Sequence, residues 1–265
     1  MRLAALLVLA SLTAAARPLA AQGGKIGSVE RDKDKKRNGD TGNGCDCGAG
    51  WLLDGIGDAF SGIDHVIFPR NPGRGYQPYP WAGDDSASAF PIHRTDHHRR
   101  FGTISAAYFS DAGSTVKAGR FSFEGAAQAL FVGLDYNTYV EPLATTTHSM
   151  QTWRLGLGAL PRIGSTMLRV GFGARGIMLD DGTDGNGPEA ELGVQAFPRR
   201  PFGVSVTGRL ASVGWSSGGS STYRELNTTG SVFIGRVELQ AGWHWMKIGD
   251  ALAFGGPTIG TRLWF

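Results

Sequence analysis

Apolar and polar residues alternate with a period of two along most of the chain after residue 99. In the segment 237–248, Val237 and Leu239 lie on one face, while Glu238 and Gln240 lie on the other. This period is that of a β-strand with one apolar face. Ten such strands are predicted, at about 100–109, 117–126, 129–141, 150–160, 167–178, 188–197, 202–215, 223–234, 237–248 and 257–265. Merging strands near Ala126 to Gln128, and at one other place, would give eight.

The connections between these strands alternate in length. Residues 162–165, 198–201 and 235–236 form short turns, whereas 141–149, 180–187, 216–221 and 249–256 form longer loops rich in Gly, Ser, Thr or Asp. Short turns at one rim and longer loops at the other are typical of outer-membrane barrels. The pattern therefore predicts an all-β fold, a transmembrane antiparallel up-and-down β-barrel over residues 99–265.

Alternation alone does not decide between a membrane and a soluble protein. A soluble barrel or sandwich has the same period, with its apolar face turned inward. The first 22 residues favour the membrane, because Arg2 precedes an uncharged run over 3–16 and small residues lead to a predicted cut near Ala21. This is the pattern of a secretory signal peptide, and its apolar run is too short to cross a bilayer as a helix.

The last predicted strand ends on an aromatic residue. Leu263, Trp264 and Phe265 close the chain, and the alternation places Leu263 and Phe265 on the apolar face. A carboxy-terminal aromatic in a closing strand resembles the signal that recruits the barrel-assembly machinery of the bacterial outer membrane. The connection lengths place Phe265 at the periplasmic rim.

Two further zones lie between the signal peptide and the barrel. Residues 23–44 carry a mixed-charge run, from Glu30 to Arg37, which predicts a flexible, solvated tether. Residues 45–98 predict an irregular periplasmic or plug segment, with a candidate short helix over 51–63. The extended aromatic run 76–81 is suited to a protein partner or to the mouth of the barrel.

Composition agrees with this organisation. The chain of 265 residues has 41 Gly, 10% aromatic residues and a mean hydropathy of −0.14, as expected for a turn-rich β protein. Its net charge is +3, but two of the cations, Arg2 and Arg17, fall in the predicted signal peptide. Charge therefore indicates no nucleic-acid partner. Two cysteines are too few to frame a secreted disulfide-rich domain.

The inward faces of the predicted strands carry arginines and carboxylates in nearly equal numbers. This predicted lumen charge network consists of Arg120, Glu124, Asp135, Glu141, Arg154, Arg169, Arg175, Glu189, Glu191, Arg209, Glu225, Glu238, His244 and Arg262. Side chains can fill the interior of a barrel of about eight strands, and arginine forks bind carboxylates well. The sequence thus favours a salt-bridged, filled lumen over a conducting pore.

Few residues suggest other chemistry. Cys45 and Cys47 could bind a metal or form a disulfide, but no familiar spacing links them to nearby histidines, so neither a metal nor a cofactor is firmly predicted. Residues 180–187 only faintly resemble a calcium loop, and a flexible outer loop fits them better. His148 or His244 could serve a lipid-modifying enzyme, although His148 and Ser149 point to opposite faces of a strand.

By architecture, residues 99–265 resemble the small outer-membrane barrels typified by OmpA and OmpX. The Cys-Asp-Cys, Pro-Tyr-Pro-Trp and closing Gly-Thr-Arg-Leu-Trp-Phe segments also resemble uncharacterised predicted outer-membrane proteins of Gram-negative bacteria. The resemblance implies a barrel in outer-membrane lipid and brings no activity. The first hypothesis is a non-enzymatic structural or partner-binding barrel. The second is a narrow solute channel gated by the amino-terminal segment, and the third is a lipid-modifying enzyme.

Overall fold

The computed structural model describes the barrel and two isolated residues before it. The described residues are 26, 80, 100–127, 129–144, 146–163, 165–250 and 252–265, with backbone alone for 100, 162 and 252. The predicted signal peptide, Cys45, Cys47 and the candidate helix over 51–63 lie outside them. Within this part of the chain no helix has the length and apolar character needed to cross a membrane.

Ten long antiparallel strands close into a barrel. The strands are β1 Arg100–Ser110, β2 Lys117–Ala127, β3 Leu130–Pro142, β4 Thr147–Ala159, β5 Arg162–Ile163, β6 Thr166–Leu179, β7 Asp184–Arg199, β8 Phe202–Trp215, β9 Ser220–Ile234, β10 Val237–Ile248 and β11 Leu252–Trp264. The two-residue β5 only pairs with the start of β6, and β4 pairs with β6 directly. Pairing of β1 with β11 closes the barrel. The ten-strand prediction is confirmed, and the eight-strand alternative is wrong because β2 and β3 are separate strands.

The predicted long loops are shorter than expected. Because β3 runs to Pro142, β4 begins at Thr147 and β7 begins at Asp184, most of those residues lie in strands. One of the glycines that suggested turns in these segments instead makes room for a side chain of a neighbouring strand. A Cβ atom on Gly185 would lie 2.7 Å from the Trp215 ring, so this glycine makes room for a neighbouring strand's side chain. The two rims therefore differ less in connection length than the sequence predicted.

We call the rim where β1 begins and β11 ends the turn rim, and the opposite rim the loop rim. The loop rim carries the connections 111–116, 143–146, 180–183, 216–219 and 249–251. Each end of the interior is occupied by buried apolar side chains. The loop-rim cluster contains Ile26, Phe109, Val116, Ala118, Tyr139, Met150, Ile177, Leu179, Ala211, Val213, Trp215, Tyr223, Met246, Ile248 and Phe254. The turn-rim cluster contains Phe101, Ala126, Phe131, Leu160, Met167, Phe197, Phe233 and Trp264.

Candidate functional site in the barrel lumen

Arg154 on β4 lies at one side of the charged layer between the two apolar clusters. Its guanidinium donates to Asp135 on β3 at 3.2 Å and to Glu189 on β7 at 2.5 Å, and it also binds Glu191. Only 1% of the Arg154 side chain is exposed. Since β4 does not pair with β7, the bonds to Glu189 and Glu191 pass through the interior.

On the other side of the lumen, Glu225 on β9 forms ion pairs with three arginines. Its carboxylate accepts from Arg120 at 2.5 Å, from Arg209 at 3.2 Å and from Arg175 at 3.0 Å. The Tyr223 hydroxyl also donates to it, at 2.7 Å. Arg120 lies on β2 and Arg175 on β6, so this one fully buried carboxylate ties three parts of the wall together.

Further pairs make the network continuous. Arg169 bridges Glu124 and Glu191, each at 2.6 Å, and Arg209 reaches Asp135 across the lumen at 3.0 Å. Buried charges are costly unless they are paired and hydrogen-bonded. The shared carboxylates meet this condition by serving several guanidiniums each.

Three predicted members of the network lie apart from it: Glu238 and Arg262 near the turn rim, and Glu141 near the loop rim. Near the turn rim, Glu238 accepts from Arg262 at 3.4 Å and from the indole of Trp264 at 2.8 Å. Near the loop rim, Glu141 accepts the backbone N–H of Ile26 at 2.8 Å, and both residues are buried. A residue of the predicted tether thus enters the mouth of the lumen, where its side chain joins the loop-rim cluster.

Glycines leave the volume that the arginines occupy. A Cβ atom on Gly156 would lie 2.5 Å from a terminal nitrogen of Arg154, which sits two residues earlier on the same face. In the sequence, this pattern appears as glycines at inward positions next to inward arginines. It does not show which carboxylate each arginine meets.

The structure places the two candidate histidines without a serine partner among their contacts in the described part of the chain. His244 has Nδ1 2.7 Å from the Asn227 amide oxygen and Nε2 3.4 Å from the Tyr139 hydroxyl. His148 has Nδ1 3.3 Å from the carboxylate of Asp180. The hydroxyl beside His244 is the phenol of the buried Tyr139, and the partner of His148 is a carboxylate, so neither contact is the serine–histidine pair of a lipid-modifying enzyme.

A polar cavity of about 110 Å³ lies beside the charged network. Hydroxyl side chains form much of its wall, on β1, β2, β8 and β9: Thr103, Ser105, Ser122, Ser205, Thr207 and Thr229. Smaller cavities of about 50 and 20 Å³ share lining residues with it. Sequence reasoning missed this hydroxyl wall, although Ser and Thr at inward strand positions were a readable signal.

The outer surface reverses the usual distribution of a soluble protein. Large apolar side chains point outward and are exposed, whereas the charged layer is buried. The outward set includes Phe121, Leu130, Phe172, Leu192, Val204, Leu210, Ile234 and Ile259. A closed barrel with an apolar exterior and a polar interior is stable only when hydrocarbon surrounds it. The fold is that of a bacterial outer-membrane β-barrel.

Comparison with known proteins finds outer-membrane structures of low similarity and assigns no activity. No protein-family model matches the sequence, and no curated protein matches it. Outer-membrane expressed OmpT of Vibrio cholerae is 8% identical, with a TM-score of 0.34 over 57% of this chain and 57% of that chain. In-vitro folded OmpT of the same organism is 11% identical, with a TM-score of 0.34 over 61% of this chain and 64% of that one. Neisserial surface protein A (NspA) is 16% identical, with a TM-score of 0.29 over 63% of this chain and 96% of that one.

The chain spans less than two thirds of the length of the two OmpT structures. With TM-scores this low, the assignment of the fold rests on the closed barrel and its apolar exterior.

Two remaining features are the closing residues of the chain and the possible metal ligands. Leu263 points outward, Trp264 lies in the turn-rim cluster, and Phe265 exchanges two backbone hydrogen bonds with Gly102, at 2.6 and 2.9 Å. Their role as an assembly signal stays a prediction. Within the described ranges, no three His, Cys, Asp or Glu side chains are grouped so as to hold a metal ion.

Proposed function

We propose that the protein is a non-enzymatic outer-membrane barrel with a structural or partner-binding role, and that its lumen stays filled. The observation that carries this proposal is the order of layers along the interior. An apolar cluster at each rim encloses a network whose ion pairs join strands on opposite sides of the barrel. Such pairs hold the wall rigid, and the three cavities described above, of about 110, 50 and 20 Å³, are small.

Planar-bilayer recording tests the filled lumen. The purified mature protein is expected to give no stable open state, because opening a path requires breaking several buried ion pairs at once. Its fold is checked in the same preparation by the mobility of boiled and unboiled samples on a gel. A reproducible single-channel conductance from the folded protein would overturn the proposal.

A second candidate function is a narrow channel for small solutes, closed by the amino-terminal segment. Two observations favour it. Each of the two smaller cavities shares lining residues with the 110 Å³ cavity, Thr103 and Glu124 toward the turn rim and Ala107 and Arg120 toward the loop rim. At the loop rim, Ile26 is fully buried in the apolar cluster and bound to Glu141.

Replacing Ile26 by aspartate separates the two candidates. If the segment is a gate, Ile26→Asp places a carboxylate in the apolar cluster near Glu141. This destabilises the closed state, so the fraction of open channels increases. Burial of an isoleucine side chain stabilises by about 1.5–3 kcal/mol, so the ratio of open to closed channels should rise roughly tenfold or more. Ile26→Val is the matched control and should keep the channel closed. If the network fills the lumen, neither variant conducts.

A further inference from the structure

The turn rim carries exposed arginines in two of its connections. Arg199 ends β7 and Arg200 follows it, while Arg236 lies in the connection between β9 and β10. All three are exposed, and none of their side chains forms an ion pair or a hydrogen bond within the described part of the chain. We call these three residues the arginine arc.

Strand pairing brings the members of the arginine arc to one side of the barrel. Arg199 pairs with Phe202 across the connection between β7 and β8, and Phe202 in turn pairs with Val232 on β9. Arg236 follows β9 two residues after Ile234, so the two connections are neighbours along the rim. The sequence adds Arg162 in the next connection around the barrel.

No acidic residue balances the arginine arc. The described connections of the turn rim contain no Asp or Glu. The carboxylates of Glu124 and Glu238, near the turn-rim ends of β2 and β10, face the lumen and bind Arg169 and Arg262. The loop rim is different, because its exposed acids Asp180, Asp181, Asp184 and Asp250 accompany Lys117, Arg224 and Lys247.

The arginine arc also borders the apolar band directly. Phe202, Ile234 and Val237 lie next to it on the outer surface and are 52%, 65% and 39% exposed. Since these side chains belong in hydrocarbon, the guanidiniums stand at the level of the lipid headgroups. That level holds phosphate groups, which guanidinium forks bind through two parallel hydrogen bonds.

We propose that the arginine arc binds the phosphates of anionic phospholipids in the leaflet at the turn rim. This inference depends on the membrane fold and not on whether the lumen conducts. The uneven distribution of charge then fixes which leaflet each rim prefers. The turn rim favours a surface rich in anionic phospholipid, and the mixed charges of the loop rim favour it less.

The test measures lipid selectivity at the barrel surface. The folded protein is reconstituted in phosphatidylcholine vesicles containing a trace of spin-labelled phosphatidylglycerol or spin-labelled phosphatidylcholine, and the bound fraction of each label is compared. The triple variant Arg199→Gln, Arg200→Gln, Arg236→Gln should lose roughly tenfold or more of the preference for phosphatidylglycerol, since each basic residue near an anionic surface contributes about fivefold. Added salt should weaken the preference of the unmodified protein.

The matched control removes the same charge from the other rim. Lys117→Gln, Arg224→Gln, Lys247→Gln should retain most of the preference, and gel mobility verifies that both triple variants fold. Equal losses in the two variants would mean that overall charge, and not the arginine arc, selects the lipid. An unmodified protein without a preference, or one whose preference is abolished by millimolar inorganic phosphate, would also overturn the proposal.

Discussion

Replacement of Glu225 by glutamine is expected to lower the free energy of unfolding by about 3–5 kcal/mol. Glu225 is fully buried and serves the guanidiniums of Arg120, Arg175 and Arg209. Glutamine keeps the size of the side chain but removes the charge, so three cations lose the partner they share. Breaking a buried pair from one side is costly because the remaining charge stays desolvated.

The control for Glu225 is a carboxylate of the same network that water can reach. Glu124 is 21% exposed and binds Arg169, which keeps its second carboxylate, Glu191, when Glu124 is changed. Glu124→Gln should therefore cost less than about 1 kcal/mol. Both variants are unfolded with urea in lipid vesicles and followed by tryptophan fluorescence. Small and equal losses would show that water solvates the network, which would favour the channel.

The strands and their faces could be predicted from the sequence because both follow from local pattern. A period of two assigns each side chain to one face, and a closed barrel keeps that assignment around its circumference. The sequence prediction placed the ten long strands within a few residues of their observed ends, apart from the ends next to the predicted loops. There, Gly and Asp were interpreted as turn residues although they pair across strands, as Asp184 does with Met178.

The partners across the lumen could not be predicted in the same way. Arg120 and Glu225 are 105 residues apart in sequence, and their meeting depends on the stagger of strands around the barrel. The apolar end clusters were missed for a related reason. Near the loop rim the inward face of β10 changes from polar to apolar residues. Met246 and Ile248 face inward there, while Lys247 between them faces out. The sequence contains this change of polarity, but its meaning depends on how far each residue lies from the middle of the membrane.

Replacement of Leu192 by arginine is expected to lower the free energy of unfolding in lipid by about 2–4 kcal/mol. Leu192 points outward near the middle of β7 and is 65% exposed, so in the membrane it contacts hydrocarbon. An arginine there must either lose its hydration or draw water and headgroups into the bilayer. On a soluble barrel the same change would replace an exposed apolar side chain with a solvated one and would cost almost nothing.

Ile234 provides a matched position at a different depth. It is also 65% exposed and outward, but it is the last residue of β9, beside the turn rim. Ile234→Arg should cost only about 0–1 kcal/mol, because the guanidinium can reach the headgroups. Unfolding of both variants in vesicles of one lipid measures the difference. If both variants lowered the free energy of unfolding by the same small amount, water would surround the barrel. The effect of the new charge would then depend on the exposure of the position and not on its depth in the membrane.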